Sequence, residues 1–600
     1  MKVPLRRLLA AGTSLALVAG VASIVAASPA AASQASDPGP ANKLPSAVPS
    51  AITPAVNDGR VFAIAQNGTK MIIGGSFTSV GGVSHQSVAV FDKTTGALTA
   101  SFAPTVNGDV NAVLPGPTSS TVYIGGAFTQ VNGVSAEFVA ELNINTGALV
   151  PGFAAPNFNF GYINDMVARG NRLYVAGTFT AINGQAHAGL ASLNATTGAL
   201  DPFINVQFTG HHNDSGSGAQ GWVGPWDLDI SPNGNLLVVI GNFKFADGQL
   251  RDQIAMLDLS GASETLAPWS TSRYSPYCFN FAFDSYIRGV SFSPDGSFFV
   301  VNATGGGVAN TLCDATARFE TNINDTDAQP TWVDETGGDT VWGITVTNTA
   351  VYIGGHNRWN NNPFGVDQAQ PGAVPRPGLA ALDPVSGRPF AWNPGRKPLG
   401  VAVFAVLATA EGLWIGSNND WIGNFQYKRP KLAFFPYQGG ATPAATTTAT
   451  LPANVNLGGT RGQSNVLYRV NAGGPSIPAT DGGPDWAADN SDPSPYRNDG
   501  SNAAGWGPGA SEDNSVPSTT PAAIFNSERW SPSDNPAMQW AFPVASGTPI
   551  EVRLYFANRC SCTSTAGARV FDVALDGNTV LNDYDIVADT GDQRGTMKKF

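Results

Sequence analysis

Apolar residues in this chain fall in short runs of about four to six, β-branched and aromatic, each bounded by Gly, Asn, Asp or Pro. That is the grammar of strands joined by tight turns. The runs also come in a fixed order. "VFAIA" at Val61 is followed by "IIGGSF" at Ile72, "SVAVFD" at Ser87 and a "TTGAL" turn at Thr94. The second run returns as "YIGGAFTQVNG" at Tyr123 and "YVAGTFTAING" at Tyr174, so that Phe77, Phe128 and Phe179 stand 51 residues apart. "NTGAL" at Asn145 and "TTGAL" at Thr196 keep the same step. Weaker copies begin at Leu236, Ser297, Ala350 and Gly412.

Four antiparallel strands in about fifty residues make one propeller blade. A lone sheet of that size leaves a face open, whereas blades set round an axis cover one another and protect their edges. Seven copies fall between Val61 and Gly440, and erosion of the fifth leaves six or eight as alternatives. The Gly pair is then expected to end a central strand where the next blade crowds it, with the following Phe between blades. A phosphate-binding reading of the same Gly pair fails, because it recurs and neither a helix nor a Gly-Lys-Ser/Thr follows.

Composition narrows the partners. The net charge of -12 and pI near 4.9 argue against nucleic acid and against an anionic membrane surface. Residues 1–32 read as a secretory leader: Lys2, Arg6 and Arg7, an apolar stretch from Leu8 to Ala27, then cleavage after Ala32, with an uncleaved anchor as the rival. The expected location is extracellular or at the cell surface, with no membrane contact after cleavage. Four cysteines in an oxidising compartment imply disulfides, and of three pairings Cys278–Cys313 with Cys560–Cys562 is the most local. A Pro/Ala-rich segment occupies 33–60, the propeller 61–440 and a Thr/Ala/Pro linker 441–462.

Candidate chemistry in the propeller sits at strand ends, where a central channel would open. Trp226, Arg288, Asp339, Trp342, His356, Arg358, Trp359, Asp420 and Trp421 are placed there, and "GGHNRWNNN" at Gly354 departs most from its own repeat. "GHHND" offers His211 and Asp214 as metal ligands without a third, and "NINDTD" at Asn322 offers calcium-type oxygens without EF-hand spacing. His85 and His187 share one repeat position and read as structural. No Gly-x-Ser-x-Gly elbow occurs. No metal or other cofactor is expected.

The repeat wording, with "PRPGLAALDP", "WNPGR" and "GLWIGSNNDWIGN", resembles secreted bacterial propellers of the delta-60 repeat type. Beyond the linker the repeat stops, and residues 463–600 show alternating strands with an Asp-Gly hairpin turn at Asp576-Gly577. The fold expected there is a β-sandwich. The series "RVNAGG", "WAAD", "FNSERW", "WAFPV", "VRLYFA", "RVFDVALDG" and "NDYDI" resembles a malectin-type carbohydrate-binding domain. The resemblance implies glucose-containing saccharides as ligands and places Trp486, Tyr496, Trp530 and Asp585 at the sugar. Trp540, in an alternating strand, reads as core. The family pattern continues past Phe600, so either the natural chain extends further, which is the expectation, or the sandwich is incomplete.

The whole is expected to be all-β: a seven-bladed propeller and a jelly-roll-like sandwich. It should be secreted and non-catalytic, with the propeller as a scaffold or protein-binding disc and the sandwich binding carbohydrate or cell-wall glycan. The alternatives are a carbohydrate-active enzyme acting at the channel mouth and an adhesion protein without a ligand.

Overall fold

The structure is a computed structural model describing residues 36–444 and 466–600, apart from short stretches within 215–217, 307–310, 364–371, 398, 481–483, 492–500, 514–519, 532–536 and 543–549. Residues 1–35, on which the leader reading falls, and the linker beyond residue 444 lie outside the described residues.

Seven antiparallel sheets follow one another along the propeller, one per blade. In blade one, Val61–Asn67 pairs with Lys70–Gly75, which pairs with Val88–Asp92. The first strand of each blade lies innermost, and each touches the next round the ring. Val403–Thr409 of blade seven meets Val61–Asn67 of blade one, so the ring closes at seven. The eroded fifth copy is a full four-stranded blade, from Ile287–Phe292 to Trp332–Glu335.

The first glycine of a pair sits where blades meet, and the second sits against the start of its own blade's inner strand. A Cβ on Gly74 would stand 2.8 Å from a Val110 methyl, and one on Gly354 2.6 Å from Val403 Cβ. On Gly126 it would stand 2.1 Å from the Asp109 carbonyl oxygen, which is backbone and has nowhere to go. Phe77, Phe128 and Phe179 are wholly buried beside them. Gly126→Val is therefore expected to lower stability by about 3 kcal/mol or more. Urea unfolding within 1 kcal/mol of the parent, roughly the spread of a surface change, would contradict this packing.

Each inner strand carries a β-bulge near its start, at Phe62, Asn111, Asn164, Trp226, Arg288, Trp342 and Phe404. The extra residue twists the strand and re-aims its side chain. Side chains then carry the polar contacts between neighbouring inner strands. Asn111 Nδ2 donates to the Ile163 carbonyl and Asn164 Nδ2 to that of Pro225, both at 2.8 Å. Asp165, Asp227 and Asp229 each accept an amide of the next blade, from Leu228 (3.1 Å), Val290 (2.9 Å) and Phe292 (2.7 Å). Burial pushes the Asp229 carboxyl up to about 7 and Asp227 up to about 6. Asp165 is raised by burial and by the neighbouring Asp227.

The segment 33–60 was set apart from the propeller on composition, yet from Ser36 onward it belongs to it. The amides of Ser46 and Ser50 donate to the carbonyls of Pro436 and Phe434, both at 2.8 Å, and the Val56 amide donates to that of Pro430. The chain's beginning thus supplies the outer edge of blade seven, beside Leu432–Pro436. Ser36 and Pro38 continue to one mouth of the central channel, where the Asp37 amide donates to the Ala408 carbonyl.

The C-terminal unit is built of short strands. Arg553–Ala557 pairs with the last strand, Arg594–Lys599, and Asn502–Gly505 pairs with Ser527–Trp530. Asp576 and Gly577 take positive φ of 48° and 80°, as the hairpin turn requires. The disulfides are Cys278–Cys313 and Cys560–Cys562.

Candidate functional site

In Ser527–Trp530 successive side chains alternate across the strand. Arg529 is buried and holds Asp489 through Nε (2.9 Å), tying this strand to Ala487–Asp489, while Trp530 stays half-buried at the strand's end. Tyr496 is also half-buried and stacks on Phe542, with centroids 5.6 Å apart and planes at 22°. Phe542 in turn stacks on Trp540 at 6.0 Å and 6°, and Tyr468 flanks both Phe542 and Tyr496. The result is a file of parallel rings with Phe542 36% exposed. A sugar offers such rings its C–H face and leaves its hydroxyls to neighbouring polar groups.

The other two residues named from sequence do different work. Trp486 is buried in the core of this unit against Tyr555, so its ring is closed to a ligand. A chain excursion folds over it, and the Ile477 and Trp486 backbones pair with each other. Asp585 caps the helix Ile586–Thr590, accepting from the amides of Val587 and Ala588, and it also accepts from Gly567. These bonds, that from Gly567 foremost, hold its carboxyl below the usual range. The sequence pattern missed Phe542 and Tyr468. Trp540 and Phe542 are two apart in an extended stretch and so share a face, but period-two alternation does not say which face is wet.

At the propeller's loops, the unusual residues bind one another. Arg358 grips Asp339 with Nε and Nη2 (2.7 Å for the closest contact), reaches Asp367 and lies 4.5 Å over the Trp359 ring. His356 Nδ1 bonds the Val401 carbonyl at 2.9 Å while Nε2 accepts from the Thr340 amide, so both ring nitrogens are engaged. Asp420 pairs with Lys431, and Trp421 packs on Phe425. Trp226, Arg288 and Trp342, expected at an open mouth, are buried on the bulges instead. Asp214 bonds Tyr277 and Lys244, and it is His212, not His211, that is buried, against Asp252. Among the described residues no three His, Cys, Asp or Glu side chains are grouped to hold a metal. Within Asn322–Asp327, side-chain oxygens accept from the segment's own amides. His85 and His187 are buried, which lowers the pKa of both.

Residues 466–600 match the malectin domain family, and residues 171–203 match a β-propeller domain of unknown function, DUF5122. The chain is a β-propeller followed by a malectin-type domain. The malectin-type domain contains the aromatic file, Trp530 and Asp585, and the short propeller match falls on blade three. No curated protein matches the chain. Among solved structures it is similar to a chain of hydrazine synthase from Kuenenia stuttgartiensis, at 14% identity and a TM-score of 0.33, covering 59% of this chain and 92% of that one. It is also similar to BamB from Moraxella catarrhalis, at 11% identity and a TM-score of 0.32, covering 62% and 82%. Likenesses this loose say nothing of function. No described helix is long and apolar enough to cross a membrane.

Proposed function

We propose that this chain is a secreted, non-catalytic carbohydrate-binding protein: the malectin-type domain takes a glucose-containing saccharide and the propeller is its scaffold. The malectin match over 466–600 carries the reading. The half-exposed rings of Trp530, Tyr496 and Phe542 support it, since they present apolar faces of the kind a pyranose covers. Two disulfides suit an oxidising compartment. Mutual pairing of Arg358 with Asp339, and of both His356 nitrogens with backbone, supports a structural rather than catalytic role for the unusual loop.

The test is affinity electrophoresis of the full chain on a panel of glucans and cell-wall polysaccharides. Trp530→Ala and Phe542→Ala are each expected to weaken retention about tenfold, the scale of one lost stacking contact. Unchanged retention in both variants would remove the aromatic site. New reducing ends released from the polysaccharide, and lost in His356→Ala, would replace this reading with the enzymatic one.

A further inference from the structure

The seven bulge residues form a belt round the propeller axis. Arg288 lies between two indoles, 5.6 Å from the Trp226 ring and 5.3 Å from that of Trp342. Trp342 meets Phe404 at 5.7 Å, and Phe404 meets Phe62 at 5.5 Å. No belt residue is more than 7% exposed. Arg288 donates from Nη1 and Nη2 to the carbonyls of Ile287 and Ser285 and to the Ser285 hydroxyl. Its Nε, and the indole N–H groups of Trp226 and Trp342, have no acceptor among the described residues. Nor does any described carboxylate form an ion pair with this guanidinium; Asp284 and Asp314 act on it from further out. Burial lowers its pKa to about 10, so it stays charged in any physiological buffer.

An enclosed cation without an ion-pair partner is unfavourable, and three unused N–H donors on adjacent blades compound the penalty. One kind of ligand relieves both. We propose that Arg288 and Trp342, with the Trp226 ring packed against the guanidinium, form a binding site for a carboxylate, free or carried on an acidic sugar, at the propeller axis. A cavity of about 290 Å³ reaches Arg288 and Trp342 from the mouth beside Ser36 and Pro38. Among its hydroxyls Ser291, whose oxygen accepts the Val346 amide, keeps its proton for a sugar ring. Of the other charged groups lining it, Arg169 adds positive charge. Asp227 and Asp229 are each turned to a blade-five amide, and burial raises them to about 6 and about 7, so both are mostly neutral at about pH 5.5, where the titration is run. The site is separate from the malectin-type domain and does not depend on what that domain binds.

Calorimetric titration of the full chain with acetate, glucuronate and glucose, at one ionic strength set with chloride, tests it. Any heat from glucose belongs to the malectin-type domain; binding of glucuronate or acetate is expected at the axis, and the stronger of the two anions tells whether the carboxylate is sugar-borne. Arg288→Gln should abolish it. Trp342→Phe keeps the ring and removes one N–H, and should weaken binding about tenfold, the worth of one hydrogen bond to a charged group. No response to either anion, unchanged anion heats in Arg288→Gln, or full affinity in Trp342→Phe would each overturn the site.

Discussion

A chain shortened to begin at Asn57 is expected to melt roughly 5–10 °C below the full chain and to associate as its concentration rises. The segment removed lies along Leu432–Pro436, donating the amides of Ser46 and Ser50 to blade seven and burying Leu44 and Val56. Arg429 Nε is bonded to the Ser50 carbonyl, so that contact goes too. Two buried aliphatic side chains contribute roughly 2 kcal/mol each and the hydrogen bonds about 1 kcal/mol each, offset by the entropy of ordering the segment. The larger consequence is geometric. Leu432–Pro436 becomes an open edge with unpaired amides and carbonyls, beside the seam where blades seven and one meet. Calorimetry and light scattering on the two chains check this, and equal melting temperatures would mean that the segment merely rests on the ring.

The second large effect is a stability that falls as pH rises from about 4 to 7. Burial raises Asp229 and Asp334 to about 7 and Asp227 to about 6, and raises Asp165 as well. In the unfolded chain these groups titrate near 4. Between those values the native state holds protons that the unfolded state has released, so the linkage slope is negative. The stabilisation is complete below about pH 4 and is lost as pH passes through the folded values. For Asp229 it is on the order of 2–4 kcal/mol across that window. Groups shifted the other way, such as Asp58 and Asp92, weaken the fold only in more acid solution, below the ordinary carboxylate range. The melting temperature should therefore be higher at pH 5 than at pH 7.5. Asp229→Asn keeps an oxygen for the Phe292 amide, carries no titrating proton, and should flatten that difference. A flat profile in the parent, or an unchanged slope in the variant, would mean that these carboxyls stay ionised.

Much of the architecture was legible because it repeats. A 51-residue step in Phe77, Phe128 and Phe179 arises only if each unit makes the same contacts with its neighbours, and the wholly buried Phe and Gly pairs are those contacts. The candidate site was less legible. Trp530 and Tyr496 are half-buried, whereas Trp486, named with them from the same resemblance, is core. Composition around an aromatic reports on its neighbours in the chain, and burial depends on residues far away in it.

By itself the sequence determined the all-β class, the repeated blade and the change of unit after residue 440, since periodicity and turn residues act over a few neighbours. Only the tertiary structure decided the blade number, by bringing Val403–Thr409 against Val61–Asn67. It alone showed that a Pro/Ala-rich beginning completes blade seven, some 380 residues away in the chain. It alone drew the seven bulge residues, scattered from Phe62 to Phe404, into one belt. Such contacts follow from ring closure, and ring closure has no local signature.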